Sequence, residues 1–113
     1  MYYEIYSKGI VTTTGSPELS QPFEMPAGDN AFQLGIQLIQ LATGATSMTV
    51  DTLGSNDLNS WSPFGSQISV SSISPNFPAA RTAVAFRWIR LKISCVGAGG
   101  VAVFWIDCNT ASL

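Results

Sequence analysis

The chain has 113 residues, enough for one domain that buries a core of its own. Apolar residues make up 46%, but charged residues only 11%, against about 25% in a typical soluble domain. The apolar content excludes disorder, and a net charge of −2 with five basic residues speaks against nucleic acid as a partner. Apolar stretches are interrupted every few residues, so no membrane span is expected. No histidine is present, which removes the commonest acid–base group and metal ligand. Neither a metal nor another cofactor is expected.

Met1-Tyr2-Tyr3-Glu4-Ile5-Tyr6 has no basic leader or apolar run, so no secretory signal is expected. Residues 1–8, rich in tyrosine, read either as a docking arm carrying Tyr2, Tyr3 and Tyr6 or as a plain edge strand. A tyrosine offers a large contact area with a polar tip, which suits docking. Ile10–Thr13 and Pro22–Met25 are further short strands. From Phe32 to Leu38 apolar residues alternate with Gln33, Gly35 and Gln37, the period of a half-buried strand. The phase then slips at Leu38-Ile39, which predicts a bulge or burial on both faces. After a turn at Thr43–Thr46, Met48, Val50 and Thr52 face inward. Gly54–Gly65 reads as a loop holding Asn56, Asp57, Trp61 and Phe64. Gln67–Ser72 is a strand with Ile68 and Val70 inward, and Ser74–Pro78 breaks the chain again.

The last third, Ala83–Cys95 and Val101–Cys108, flanks the glycine-rich Val96–Gly100 and reads as a hairpin. Pairing Val96 with Val101 puts Ile89, Leu91, Ile93 and Cys95 on one face with Ala102, Phe104, Ile106 and Cys108. The opposite face then pairs Arg90 with Asp107, Lys92 with Trp105 and Ser94 with Val103. The same register separates Cys95 from Cys108 by about 20 Å at ~3.4 Å per residue, so two buried, unbridged thiols are expected in a reducing compartment. With no helical period anywhere, the pattern predicts an all-β fold. The expectation is one antiparallel β-sandwich of jelly-roll type over residues 1–113, with about eight strands.

Chemistry is sparse. The seven carboxylates show no pairing on one strand face, serine has no base, and no enzyme activity is expected. Asp29-Asn30 and Asn56-Asp57 suit turns better than Ca²⁺. Arg81, Arg87, Arg90 and Lys92 read as a salt-bridged sheet face rather than an anion site. Trp88 and Trp105 fall outward on the hairpin beside Val101 and Val103. That patch suits a protein partner, with a second packed layer or sugar stacking as the weaker readings.

Two strings carry a resemblance: Gly54-Ser55-Asn56-Asp57 followed by Trp61, and Arg87-Trp88-Ile89-Arg90-Leu91-Lys92-Ile93 ahead of the glycine-rich segment. Together they resemble small β-sandwich modules of tailed-bacteriophage virions, over about residues 31–108. Sugar-binding discoidin-like sandwiches contain similar strings. The phage modules usually have Gly after the Asp, where this chain has Leu58. The resemblance is greatest to head decoration (cement) proteins. It implies a structural role on the capsid surface of a virion, synthesis in the host cytoplasm, the major capsid protein as partner, and a homo-oligomer, most often a trimer. The alternative it implies is a tail-associated module recognising host surface glycans.

Overall fold

The structure, a computed structural model, describes residues 1–113 and contains strands but no helix. The ten strands are β1 (Tyr2–Thr12), β2 (Glu18–Leu19), β3 (Phe23–Glu24), β4 (Ala31–Ala42), β5 (Ala45–Ser55), β6 (Ser62–Pro63), β7 (Ile68–Val70), β8 (Pro75–Asn76), β9 (Trp88–Gly97) and β10 (Val101–Ala111). They form two antiparallel sheets. One has the order β1-β10-β4-β8, and the other β2-β9-β5-β6, with β3 also on β9 and β7 also on β5.

Alternation along the long strands explains why the sheets pack. Leu34, Ile36 and Leu38 of β4 and Ala102, Phe104, Ile106 and Cys108 of β10 turn inward from the first sheet. Met48, Val50 and Thr52 of β5 and Ile89, Leu91 and Ile93 of β9 meet them from the second. The chain is thus the all-β sandwich that its period-2 pattern predicts. Each large apolar side chain buried here contributes about 1.5–3 kcal/mol. Buried Thr52 keeps its hydroxyl satisfied by donating to the Phe64 carbonyl at 2.6 Å. Aromatic rings add a second thread through the core. Tyr3, Phe23, Phe32, Phe64 and Phe86 touch in series, with centroid separations from 5.2 to 6.4 Å.

The phase slip in β4 is a bulge. Phe104 pairs with Leu38 and Val103 with Gln40, so Ile39 is the extra residue and is exposed. At the start of the chain, β1 runs unbroken through the segments read as Tyr2–Lys8 and Ile10–Thr13. It pairs with β10 along its length, with register shifts between Glu4 and Tyr6 and between Tyr6 and Gly9.

The glycine-rich hairpin expected between Val96 and Val101 does not form. Val96 pairs with Ser47, whereas Val101 pairs with Ala42 and Thr12, because β9 and β10 belong to different sheets. Residues 97–100 carry the chain from one layer to the other. Thr43-Gly44 does the same between β4 and β5, with Thr43 at φ 61°. The two crossings pack on each other, as the Ala98 amide donates to the Gly44 carbonyl at 3.0 Å.

The cross-strand pairs of the expected hairpin fall with it. Arg90 lies opposite Leu53, Lys92 opposite Asp51 and Leu19, and Ser94 opposite Thr49. Trp105 lies opposite Gln37, Asp107 opposite Gly35 and Glu4, and Val103 opposite Gln40 and Ile10. The inward residues were still read correctly. Apolar alternation selects the side that faces the core, and this is the same side whether two strands are neighbours in a sheet or face each other across the core. Cys95 and Cys108 are both free, in separate sheets. Cys108 is buried, but Cys95 is only partly so, which corrects the expectation for that thiol.

Candidate functional site

The three N-terminal tyrosines have different environments. Tyr2 is 53% exposed and its hydroxyl donates to Asp107 Oδ2 at 3.2 Å. Tyr3 packs on Phe23 and donates to the Glu24 carbonyl at 3.0 Å. Tyr6 meets the Phe104 ring edge-on at 5.1 Å, and its hydroxyl is buried without a hydrogen-bond partner. Burial, reinforced by the Glu18 carboxylate, pushes the Tyr6 phenol up to about 12. Tyr3 and Tyr6 therefore fasten β1 to the core, and of the three only Tyr2 points away from it.

The outward tryptophans also separate. Val101, Val103 and Trp105 share the outer side of the first sheet with Ile10, which lies opposite Val103 and is 56% exposed. Val101 and Trp105 are half-buried, but Val103 is buried, which corrects the expectation that it offers contact surface. Trp88 belongs to the second sheet, opposite Ser55 and Glu24. The single apolar patch expected from a hairpin is thus two surfaces, divided by the core. Ile10 was missed in the sequence, although Ile10-Val11 gave a signal: two consecutive apolar residues on a strand must turn one outward.

The loop after β5 is built around its own polar groups. The Ser55 hydroxyl donates to Asp57 Oδ1 at 2.9 Å and accepts from the Leu58 amide at 3.0 Å. Asp57 Oδ1 also accepts from the Ser60 and Asn59 amides at 2.8 and 2.9 Å. These backbone donors, with the Ser55 hydroxyl, hold the Asp57 carboxyl below its usual 3.8. Leu58 follows at φ 65°, the left-handed conformation that glycine adopts most readily. Its carbonyl accepts from the Trp61 indole at 3.2 Å.

This loop closes onto the start of β9. Asn56 Oδ1 accepts from the Arg87 amide at 3.0 Å, and the Arg90 guanidinium lies 5.5 Å from the Trp61 ring centroid. Arg90 also donates to the Ser20 carbonyl at 2.9 Å. Arg87 pairs with Glu24 at 2.7 Å and lies 5.8 Å from the Trp88 ring. Arg81 reaches the Ser66 carbonyl, and Lys92 stands opposite Asp51. The basic residues thus have separate neighbours, and of the four only Arg87 forms a salt bridge, where a salt-bridged face was expected. Their partners differ from the Asp107 pairing expected in the sequence.

No protein-family model matches the chain, and no curated protein matches it in sequence. Several solved structures are similar to it in fold. The SPBc2 prophage-derived protein YomS aligns at TM-score 0.49 and 12% identity, over 93% of this chain and 96% of its own. A chain from the Bacillus endospore appendages, described as disulfide-linked pili, aligns at TM-score 0.43 and 14% identity, over 100% and 91%. The CBM22-1–GH10 modules of Clostridium thermocellum xylanase 10B, solved with xylohexaose, align at TM-score 0.45 and 8% identity, over 96% of this chain and 26% of theirs. Similarity at this level concerns fold and assigns no residue a role.

Proposed function

We propose that the protein is a structural component of a tailed-bacteriophage virion, decorating the capsid surface as a homo-oligomer bound to the major capsid protein. The observation that carries this reading is the meeting of the two strings that resemble phage virion modules. Gly54 and Ser55 pair with Ile89 and Trp88, Asn56 holds the Arg87 amide, and Trp61 lies beside Arg90. The two strings thus form one interlocked corner. Leu58 adopts the backbone conformation suited to the glycine of those modules. The jelly-roll form of the sandwich belongs to this reading. The sheet orders support it, since β4–β5 and β9–β10 run side by side from one sheet into the other as one folded ribbon.

The surface assigned to docking is the outer side of the first sheet, where exposed Ile10 and half-buried Val101 and Trp105 give an apolar area on a chain short of charge. Contacts of this kind, with Tyr2 at the polar end, suit a shell subunit or a neighbouring copy in a trimer. The test is uptake by preformed phage heads that lack the protein. Binding should saturate, and decorated heads should withstand heating better, because a ligand specific for the intact shell stabilises it by mass action. Ile10→Asp should weaken uptake without changing the circular dichroism of the free protein. Heads that never take up the wild-type protein would overturn the reading.

A further inference from the structure

On the same sheet, at the side of Trp105 nearer β8, lies a cleft of about 190 Å³ bordered by Gly35, Gln37, Pro75, Phe77, Trp105 and Asp107. Gly35 is its floor. A β-carbon there would collide with Asp107 Oδ1 and stand 3.3 Å from the Phe77 ring, so the carboxylate rests directly over a residue that only as glycine leaves it room, with Phe77 beside it. Phe77 is 69% exposed, a large cost in water for an unpartnered ring. It is also held in place: β8 pairs with β4 through Pro75 and Asn76, and Gln33 donates to the Pro78 carbonyl at 3.1 Å. The opposite wall, Trp105, is fixed in the middle of β10.

The polar groups are few and poised. Tyr2 donates to Asp107 Oδ2, while the Gln37 side-chain amide and Asp107 Oδ1 border the cleft without a side-chain partner. A ligand that engages all of these groups would offer donors to a carboxylate oxygen, both a donor and an acceptor to an amide, and apolar faces to two aromatic rings. Hydroxyl groups on a pyranose ring meet all three demands, since each donates and accepts and the ring's C–H faces are apolar. An ammonium has no acceptor for the amide. An anionic sugar would face Asp107 with Glu4 as its cross-strand neighbour.

We propose that this cleft binds a neutral pyranoside. The cleft shares Trp105 with the docking surface, but Phe77 and Asp107 belong to the cleft alone and Ile10 to the docking surface alone, so variants at these positions let either reading fail by itself. The experiment is saturation-transfer NMR on the whole protein with the methyl glycosides of glucose, galactose, mannose and N-acetylglucosamine. Sialyllactose and choline serve as the charged comparators. At least one neutral glycoside should receive transfer and bind about tenfold more weakly to Phe77→Ala and to Asp107→Ala, the loss of one good contact. Ile10→Asp should leave it unchanged. Phe77 is on the surface, so Phe77→Ala tests the site without risk to the core. Absence of transfer to all four glycosides, preference for choline or sialyllactose, or full binding by both cleft variants would overturn the assignment.

Discussion

The Ala98 amide donates to the Gly44 carbonyl at 3.0 Å, while the Ala98 carbonyl fills the space that a β-carbon on Gly44 would need. Two of the points where the chain changes sheets, β4 to β5 and β9 to β10, are thus locked together backbone to backbone. No flexible side chain is available there to yield. Gly44→Ala should cost on the order of 3 kcal/mol by forcing the crossings apart, read as a fall in the urea midpoint. A midpoint within error of wild type would mean that the crossings do not touch.

Leu58 offers the opposite case. A non-glycine residue in the left-handed region costs about 1–2 kcal/mol, and part of this is offset because leucine is less free than glycine in the unfolded chain. Leu58→Gly should therefore raise stability by about 0.5–1 kcal/mol, visible as a higher thermal midpoint. Because the Asp57 hydrogen bonds do not involve the Leu58 side chain, the Asp57 carboxyl should still titrate below 3.8 by NMR.

Ser20 substitutes for a missing strand between β2 and β3. Its buried hydroxyl accepts from the Leu91 amide at 2.8 Å and donates to the Gln21 carbonyl at 3.2 Å. Ser20→Ala leaves the Leu91 N–H buried and unpaired, a cost of about 1–3 kcal/mol. Amide exchange at Leu91 should accelerate more than at Ile93, whose strand neighbours are unchanged.

Two buried acids govern behaviour in alkali. Burial, with Asp107 adding to it, pushes the Cys108 thiol from 9.0 up to about 12, and burial likewise raises Tyr6 from 10.0 to about 12. Between those values the folded chain keeps protons that the unfolded chain has lost, so stability is whole below about pH 9 and declines as pH rises towards 12. Urea midpoints measured across that window should fall, and Cys108→Ala should remove the earliest part of the decline. A native-state thiol reagent should label Cys95, which is partly exposed, ahead of Cys108.

Much of the fold was written in parity. Leu34, Ile36, Met48, Val50, Ile89, Leu91, Phe104 and Ile106 all lie inside where alternation puts them, and the slip at Ile39 marks a real bulge. Which strand neighbours which was not legible, because inward parity is satisfied equally by a hairpin and by two strands in opposed sheets. The complementary pairs Arg90–Asp107 and Lys92–Trp105 lent the hairpin a plausibility that had no physical origin. The cleft was hidden for a related reason. Phe77 is bracketed by Pro75 and Pro78, a loop signal, and only the tertiary fold carries that loop across Gly35 to Asp107.

The pairing of β1 with β10 sets the order in which the molecule can be built. The Thr110 amide donates to the Met1 carbonyl at 2.8 Å, and the strand made first has no partner other than the strand made last of the ten. At ~5–20 residues per second, the tyrosine-bearing strand waits on the order of 5–20 s on the ribosome before its ladder can close. During that wait Tyr6 is without the Phe104 ring that later meets its own. A chaperone that grips nascent aromatic segments would find a target at Tyr6 and would lose it when residues 101–111 emerge and pair with β1.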